Sequence, residues 1–222
     1  MNHAFFLTGT DTEIGKTFAS CALLHAWRSQ GLRAVGYKPV AAGADLIDGR
    51  FCNEDAVRLQ RASSTGFELD EINPLCLRAA IAPHLAAQAE NRSIELAPLL
   101  QGFAHLRASA ERVVVEGVGG FRVPLGADFD SADLAARLGL PVILVVGMRL
   151  GCINHALLSV EAIAARGLTL AGWIGNCLQV PMPSLAENLK TLNDALPAPC
   201  LGVLPYIPTG DAAKAAPHLA LP

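Results

Sequence analysis

The sequence lacks a long hydrophobic run, an excess of basic residues and paired cysteine motifs. Its longest strongly apolar stretch, residues 141–148, falls well short of the ~20 residues that a membrane-spanning helix needs. The formal net charge of −3 leaves no broad basic surface for nucleic acid. The six cysteines are scattered and none forms a C-x-x-C pair, which favours reduced thiols in a cytosolic protein over a disulfide or zinc framework. We therefore expect a cytoplasmic protein whose partners include neither a membrane nor a nucleic acid.

The chain is instead rich in apolar residues, which make up 52% of it, whereas charged residues make up 17%. Strand-like segments cover residues 3–8, 33–40, 112–117, 141–147, 170–176 and 200–206, and helix-like segments cover residues 16–30, 53–61, 95–109, 131–139, 153–167 and 184–196. This alternation predicts an α/β fold with a mostly parallel β-sheet and helices on both faces. We expect a single domain over residues 1–222, with a loosely packed, Ala/Pro-rich tail at 209–222.

The first strand runs into a loop that is typical of a phosphate site. Residues 8–17 read TGTDTEIGKT, after the apolar run AFFL. The common pattern G-x-x-x-x-G-K-[ST] requires a glycine at position 10, where Thr10 stands, and the glycine comes one place early, at Gly9. The loop should still present backbone N–H groups and a positive helix end to an anion. We expect Lys16 to reach the outer phosphates of a nucleotide and the Thr17 hydroxyl to bind Mg²⁺.

Two acidic residues are candidates for the same metal site. Glu116 ends the apolar strand RVVVEG and is followed by GVGG, and a carboxylate in that place is the second metal-site element of phosphate-loop enzymes. Asp55 is the second candidate. Taken alone, Asp55 is better explained as a favourable charge at a helix N-terminus.

Three further strand ends carry polar residues whose role the sequence leaves open. Lys38 ends the strand of YKPVAAG and is either functional or a surface lysine that snorkels. Asn176 ends the strand LAGWIGN, where its amide either reads a purine edge or caps a turn. The segment Gly151–Asn154 begins a helix and either binds a carboxylate or is ordinary helix capping.

Taken together, these motifs resemble the dethiobiotin synthetase family, ATP-dependent cyclo-ligases of biotin synthesis with a P-loop NTPase fold. The matching stretches are TGTDTEIGKT, GYKPVAAG, VEGVGG, LPVILVVG, LGCINHA, LTLAGW and PAPCLG, from residue 8 to about 207. The family's loop is similar to T-G-T-D-T-E-x-G-K-T, which accounts for the missing glycine at position 10. The resemblance implies that Thr12 and Glu13 face the ligands.

The resemblance also implies a reaction. One amine of 7,8-diaminononanoate takes up CO₂ to form a carbamate, and a carbamate oxygen attacks the γ-phosphate of ATP. The other amine then closes the ureido ring, giving dethiobiotin, ADP and phosphate. The small-molecule partners would be this diamine, CO₂ or bicarbonate and ATP, with Mg²⁺ as metal cofactor. The resemblance further implies a homodimer with the substrate site at the interface.

Residue roles follow from the same resemblance. Lys16 and Lys38 would be catalytic, with Lys38 against the carbamate, and Thr17, Asp55 and Glu116 would hold the metal. The nucleotide would contact Thr12, Glu13, Ile14, Gly15, Lys16, Thr17, Phe18, Asp55, Glu116, Gly117, Val118, Gly119, Asn176, Cys177, Pro205, Tyr206 and Ile207. The diamine would contact Thr12, Lys38, Ala42, Gly151, Cys152, Ile153 and Asn154.

The sequence departs from the family pattern at two positions and from rival families at one. Ala42 and Ala82 stand where the family often has serine, so two hydroxyls near the diamine are missing and weaker substrate binding is expected. A partitioning or metallochaperone ATPase would carry a signature lysine where Asp11 stands. A catalytically silent binding protein is disfavoured because the candidate lysines, Thr17 and both carboxylates are all present.

Overall fold

The computed structural model describes residues 3–47 and 49–222. In chain order, the first half contains β1 (His3–Gly9), α1 (Lys16–Ser29), β2 (Ala34–Tyr37), β3 (Val40–Ala42), β4 (Asp45–Ile47), β5 (Arg50–Cys52), α2 (Glu54–Ala62), α3 (Leu69–Ile72), β6 (Leu75–Leu77), α4 (Pro83–Ala89) and α5 (Leu96–Ser109). The second half contains β7 (Arg112–Glu116), α6 (Ser131–Leu138), β8 (Val142–Met148), α7 (Cys152–Ala165), β9 (Leu170–Cys177), α8 (Leu185–Ala195), β10 (Cys200–Leu204), α9 (Ala212–Ala215) and a 3₁₀ helix (Ala216–His218).

A six-stranded sheet forms the centre of the molecule, with the strand order β10-β9-β8-β1-β7-β2. All neighbouring strands in it are parallel. The register places Leu7 beside Glu116 and Gly147 beside Asn176. The carboxyl ends of the parallel strands therefore meet at one edge, where ligands bind in open α/β sheets. The predicted fold class is confirmed.

Helices cover both faces of this sheet, as alternate residues of β8 demonstrate. Ile143 and Val145 belong to a large apolar cluster that also contains Trp27 of α1. Leu144 and Val146 belong to a different cluster that contains Leu192 of α8. Because successive side chains of a strand point to opposite faces, β8 is buried on both sides. In the described part of the chain, no helix combines the length and apolarity needed to cross a membrane.

The strand predicted over residues 33–40 is interrupted, and this prediction was wrong in extent. β2 ends at Tyr37, and β3 pairs with β6 in a separate two-stranded sheet. Between them, the Lys38 N–H donates to the Ile72 carbonyl oxygen at 2.8 Å. Pro39 has no N–H to give to a ladder, which fits a break in the strand here. The break carries the chain from the central sheet to the smaller one.

The C-terminal segment packs more closely than the sequence predicted. Ala212 and Ala215 are buried and belong to the main apolar cluster with α1. Further on, Leu219 forms a β-bridge with Gly202, and the Ala220 N–H donates to the Leu201 carbonyl oxygen at 2.7 Å. Small alanine side chains allow this close approach, so the expected loose packing at 209–222 is corrected to a docked segment.

Candidate active site

The loop between β1 and α1 has a backbone path that explains its unusual sequence. Gly15 adopts φ +86°, and a Cβ there would lie 2.2 Å from the Asn176 Nδ2 atom. At Gly9 a Cβ would lie 2.7 Å from the Cδ1 atom of Ile14, whose side chain is buried. The early glycine thus makes room for Ile14, which anchors the loop in the core. Glu13 takes the left-handed conformation, with φ 59°, which is uncommon for a residue other than glycine.

Lys16, at the start of α1, is buried, with 8% of its surface exposed. Its Nζ donates to the backbone oxygen of Asp11 at 2.8 Å, across the mouth of the loop. Burial is the main cause that lowers the pKa of Lys16 to about 8, with Glu116 opposing the shift and the Lys38 ammonium adding to it. A bound anion would restore full protonation of this ammonium.

Lys38 is buried and contacts two carboxylates, of which Glu116 is fully buried and Asp55 is 42% exposed. Its Nζ donates to Glu116 Oε1 at 2.6 Å and to Asp55 Oδ2 at 3.2 Å. Burial on its own lowers the pKa of Lys38, but the two carboxylates outweigh it, so this pKa lies above its ordinary value. Burial likewise acts to raise the pKa of Asp55, but the Lys38 ammonium brings it below its ordinary value. Only 4% of Lys38 is exposed, which excludes the snorkelling alternative.

The predicted metal ligands come together around the same carboxylate. The Thr17 hydroxyl donates to Glu116 Oε1 at 2.8 Å. The other carboxylate oxygen of Glu116 is buried and has no hydrogen-bond partner in the described residues. Two carboxylates and a hydroxyl are hard oxygen ligands that fit Mg²⁺. Within residues 3–47 and 49–222, no group of three or more His, Cys, Asp or Glu side chains could hold a metal. A Mg²⁺ ion here would take its remaining ligands from phosphate and water oxygens.

A cavity of about 320 Å³ opens in front of the loop. It is lined by Thr12, Glu13, Gly15, Lys16, Thr17, Phe18, Lys38, Ala42, Asp55, Arg58, Val118 and Gly119. Every residue of this set except Arg58 was predicted from the sequence. Glu116 lies behind the cavity wall, in contact with Lys38 and Thr17. The cavity carries three cationic side chains, a charge that suits a polyphosphate.

A second, smaller cavity of about 180 Å³ adjoins the first and shares Glu13, Gly15 and Phe18 with it. The other lining residues are Asn176, Cys177, Leu178, Gln179, Pro205, Tyr206, Ile207 and Gly210. The Asn176 Nδ2 donates to the Ile14 carbonyl oxygen at 2.8 Å, which helps to hold the loop. Its Oδ1 is buried and has no partner in the described chain, so it is available as an acceptor for an amino group.

Some predicted site residues lie apart from both cavities. The helix start at Gly151–Asn154 lines neither of them. Just before it, Arg149 forms an ion pair with Asp11 of the phosphate loop. The Ile14 side chain is buried in the core, and Gly117 lies against the ring of Phe6, where an added Cβ would be 3.2 Å from its Cζ.

Sequence reasoning missed four lining residues: Arg58, Leu178, Gln179 and Gly210. Arg58 follows Asp55 by three positions on α2, and residues at that spacing share one helix face. That spacing was the signal that could have revealed it. Leu178, Gln179 and Gly210 belong to loops after β9 and β10, whose paths the sequence does not specify.

Comparisons with known proteins show which family this chain resembles over nearly its whole length. The family described as "AAA domain" matches residues 3–214. The ATP-dependent dethiobiotin synthetase BioD of Aromatoleum aromaticum is 59% identical and covers 99% of this chain and 97% of its own length. The protein of the same name from Ralstonia nicotianae is 52% identical, over 96% of this chain and 93% of its own length.

Solved structures show the fold alone, because their sequence identity is low. The septum site-determining protein MinD from Pyrococcus horikoshii, complexed with Mg-ADP, has a TM-score of 0.59 at 17% identity, covering 97% of this chain and 86% of its own. A ParA family ATPase from Chlorobium tepidum has a TM-score of 0.59 at 12% identity, with coverages of 98% and 94%. With the fold of a P-loop NTPase and relatives that match it over nearly their full length, the chain belongs to the ATP-dependent dethiobiotin synthetase family.

Proposed function

We propose that this protein is an ATP-dependent ligase that converts 7,8-diaminononanoate and CO₂ to dethiobiotin, in biotin biosynthesis. The observation that carries the proposal is the buried cluster in which Lys38 contacts Glu116 and Asp55 beside a phosphate-binding loop. A nucleotide switch needs the loop and the metal ligands. A second buried lysine placed to receive another anion suits an enzyme that transfers the γ-phosphate to a substrate oxygen.

The proposed reaction has three steps. An amine nitrogen of the diamine forms a bond to the carbon of CO₂ and loses a proton, which gives a carbamate. A carbamate oxygen then attacks the γ-phosphorus of ATP, and the bond to the ADP oxygen breaks. Finally, the second amine attacks the carbamoyl carbon of this mixed anhydride, and phosphate leaves as the ring closes.

The chain's own residues position and neutralise the anions in these steps. Lys16 and the backbone N–H groups of the loop bind the phosphates, and Lys38 exchanges its contact with Glu116 for the carbamate. Thr17, Asp55 and Glu116 would hold Mg²⁺, which would neutralise negative charge on the phosphates when bound. Gathering these charges away from water strengthens each contact.

The smaller cavity is the proposed site of the adenine base. The free Oδ1 acceptor of Asn176 can accept a hydrogen bond from the exocyclic amine of adenine. In guanine a carbonyl oxygen takes the place of that amine, and two acceptors cannot form a hydrogen bond with each other. Cys177 and Pro205–Ile207 would form the apolar walls of this site. We therefore propose that the enzyme uses ATP in preference to GTP.

The diamine would lie between Lys38 and Ala42 in the larger cavity. Ala42 lines that cavity and offers no hydroxyl. Each lost hydrogen bond weakens binding of the diamine by about 0.5–1.5 kcal/mol. The KM for the diamine should therefore be higher than in relatives that carry serine at this position. The phosphate chemistry does not depend on this contact.

A homodimer would complete the substrate site. In one chain, Gly151–Asn154 lies outside the cavity that contains Lys38. Next to this helix start, Leu150 is 96% exposed and Leu158 is 56% exposed. Further exposed apolar side chains, which would form the second patch, are Leu46, Ile47, Phe51, Ile81 and Leu85. We propose that the two patches pair across a two-fold axis, which would bring the partner's helix start to the tail carboxylate of the diamine.

Subunit mixing tests this shared site. Lys38→Leu removes a residue on one side of the proposed site, and Asn154→Asp places a negative charge on the other, where it repels the substrate carboxylate. Each variant alone should be nearly inactive. After the two are mixed and exchanged, about a quarter of wild-type activity should return, because each mixed dimer holds one intact site. The double variant mixed with either single variant is the control. No recovery, with subunit exchange verified, contradicts the shared site.

ATP turnover distinguishes the ligase from a nucleotide switch. With Mg²⁺ and ATP alone, we expect phosphate release near background. Adding both the diamine and bicarbonate should raise release at least about a hundredfold, because the carbamate is the phosphate acceptor. The measurement is continuous phosphate detection with each component omitted in turn. Equal turnover without the diamine would favour the switch.

We also propose that the protein works in the cytoplasm as a single domain. All six cysteines are free, and three of them, Cys21, Cys52 and Cys152, are buried. Free thiols persist where the cell keeps them reduced. The central sheet draws strands from nearly the whole length of the chain, which fits a single folding unit.

A further inference from the structure

We propose that Arg58 binds the phosphates shared by ATP and ADP, as a nucleotide-binding residue additional to the loop and the two lysines. The inference rests on the proposed function, because it takes the larger cavity as the phosphate site. Arg58 lies on α2, one helical turn after Asp55, and it lines the larger cavity together with Thr17 and Phe18.

The position of Arg58 determines which phosphates it can reach. Besides the cavity of about 320 Å³ in front of the loop, it lines a neighbouring cavity of about 430 Å³ that also contains Thr17, Phe18 and Cys21. These three residues lie along the first turns of α1. A phosphate that accepts from the N–H groups of the first turn of α1 would therefore lie between α1 and the guanidinium of Arg58.

The charge of Arg58 is only loosely engaged in the structure. Its Nη2 donates to Glu54 Oε1 at 2.5 Å, and 53% of the Arg58 side chain is exposed. No other hydrogen bond of its guanidinium occurs within the described residues. An exposed pair at the i, i+4 spacing is weak, so a phosphate can replace Glu54 at low cost. The planar fork of an arginine also fits two phosphate oxygens at once.

The electrostatics favour an additional cation at this point. ATP brings about four negative charges at neutral pH, and the lysines of the cavity are committed to its terminal end and to the substrate. Arg58 adds a third positive charge to a wall that also carries Glu13 and Asp55.

Calorimetric titration with Mg·ATP and Mg·ADP, without diamine or bicarbonate, tests the assignment. Arg58→Ala should raise the Kd of both nucleotides by about tenfold, and more at low salt than at high salt. Arg58→Gln, which keeps the length of the side chain, should raise both to a similar extent. Arg137→Ala removes an equal charge from the exposed side of α6, away from the cavities that Arg58 lines, and its effect should stay below about twofold.

Glu54→Gln separates binding from a structural role. If Arg58 binds phosphate, freeing it from Glu54 should leave nucleotide affinity unchanged or make it tighter. A loss equal to that of Arg58→Ala would mean that the ion pair only supports α2, which overturns the proposal. Unchanged Kd values in Arg58→Ala, or a loss for ATP but not for ADP, would also overturn it, while the proposed function would stand. If the wild-type protein bound neither nucleotide, the proposed function itself would fail.

Discussion

Replacing Lys16 with glutamine should abolish turnover: we expect kcat/KM for ATP to fall by at least about a thousandfold. Lys16 is buried at the start of α1, and its Nζ lies over the loop, bound to the Asp11 backbone oxygen. Glutamine keeps a hydrogen-bond donor but removes the charge that would follow the γ-phosphate as it moves. Steady-state assays of phosphate release and dethiobiotin formation measure the loss.

The pKa of Lys16 adds a pH signature to this prediction. Burial lowers this pKa to about 8, so the free enzyme loses the Lys16 proton as the pH rises above 8. Because an anionic nucleotide binds the protonated form, wild-type affinity should fall above that pH, and the Lys16→Gln variant should lack this dependence. Lys190→Gln is the control, because Lys190 is 77% exposed and pairs with Asp194 on the distant helix α8. A near-normal kcat in Lys16→Gln would refute the assigned role.

Replacing Lys38 with leucine should damage catalysis far more than nucleotide binding. We expect kcat to fall by about 10²–10³-fold and the Kd of ATP to change by less than about threefold. The reason is geometric, since Lys38 faces Glu116 and Asp55 and not the backbone of the loop. On the proposed mechanism, its charge would therefore act on the substrate carbamate and would contribute less to the phosphates, which Lys16 would bind.

Stability measurements separate this effect from a loss of folding. Lys38→Leu removes the ammonium that contacts Glu116, which is 0% exposed. The hydrogen bond from the Thr17 hydroxyl to Glu116 would remain. Removing one partner of a buried ion pair costs about 3–5 kcal/mol of unfolding free energy, and Mg·ADP should restore part of it. Lys190→Leu again serves as the control. Equal losses in kcat and in nucleotide affinity would mean that Lys38 is a structural residue.

The sequence predicted the central sheet well because its strands are continuous apolar runs. β8, for example, is buried along its whole length, and such a run between helical segments has few other interpretations. Glu116 was singled out by the same logic, since the ends of parallel strands share one edge, whereas Asp55 was assigned to the metal only through the family resemblance. Lys38, whose role the residues alone left open, is buried and contacts two carboxylates, which excludes a surface lysine and leaves its catalytic role as a prediction.

Other features depend on contacts that no local pattern encodes. The strands β4 and β5, which pair with each other, have three residues each and are largely exposed. They are therefore too short and too exposed to show the alternation of apolar and polar residues that predicts a strand. The function of Gly9 becomes clear only when Ile14 is seen to fill the space beside it. From the sequence, Arg58 is indistinguishable from an ordinary charged residue on the solvent face of a helix. Only the structure shows that it lines the cavity in front of the phosphate loop. In each case the tertiary arrangement supplies the missing information.

Transfer of labelled carbon is the most direct test of the central claim. That claim is that an amine of the substrate binds CO₂ in this site, and that the resulting carbamate accepts the γ-phosphate of ATP. The purified protein would be incubated with ¹⁴C-bicarbonate, Mg²⁺, ATP and 7,8-diaminononanoate, and the products separated. The account predicts labelled dethiobiotin in equal amounts with ADP and phosphate. ATP binding at these conditions without any label in dethiobiotin would contradict it.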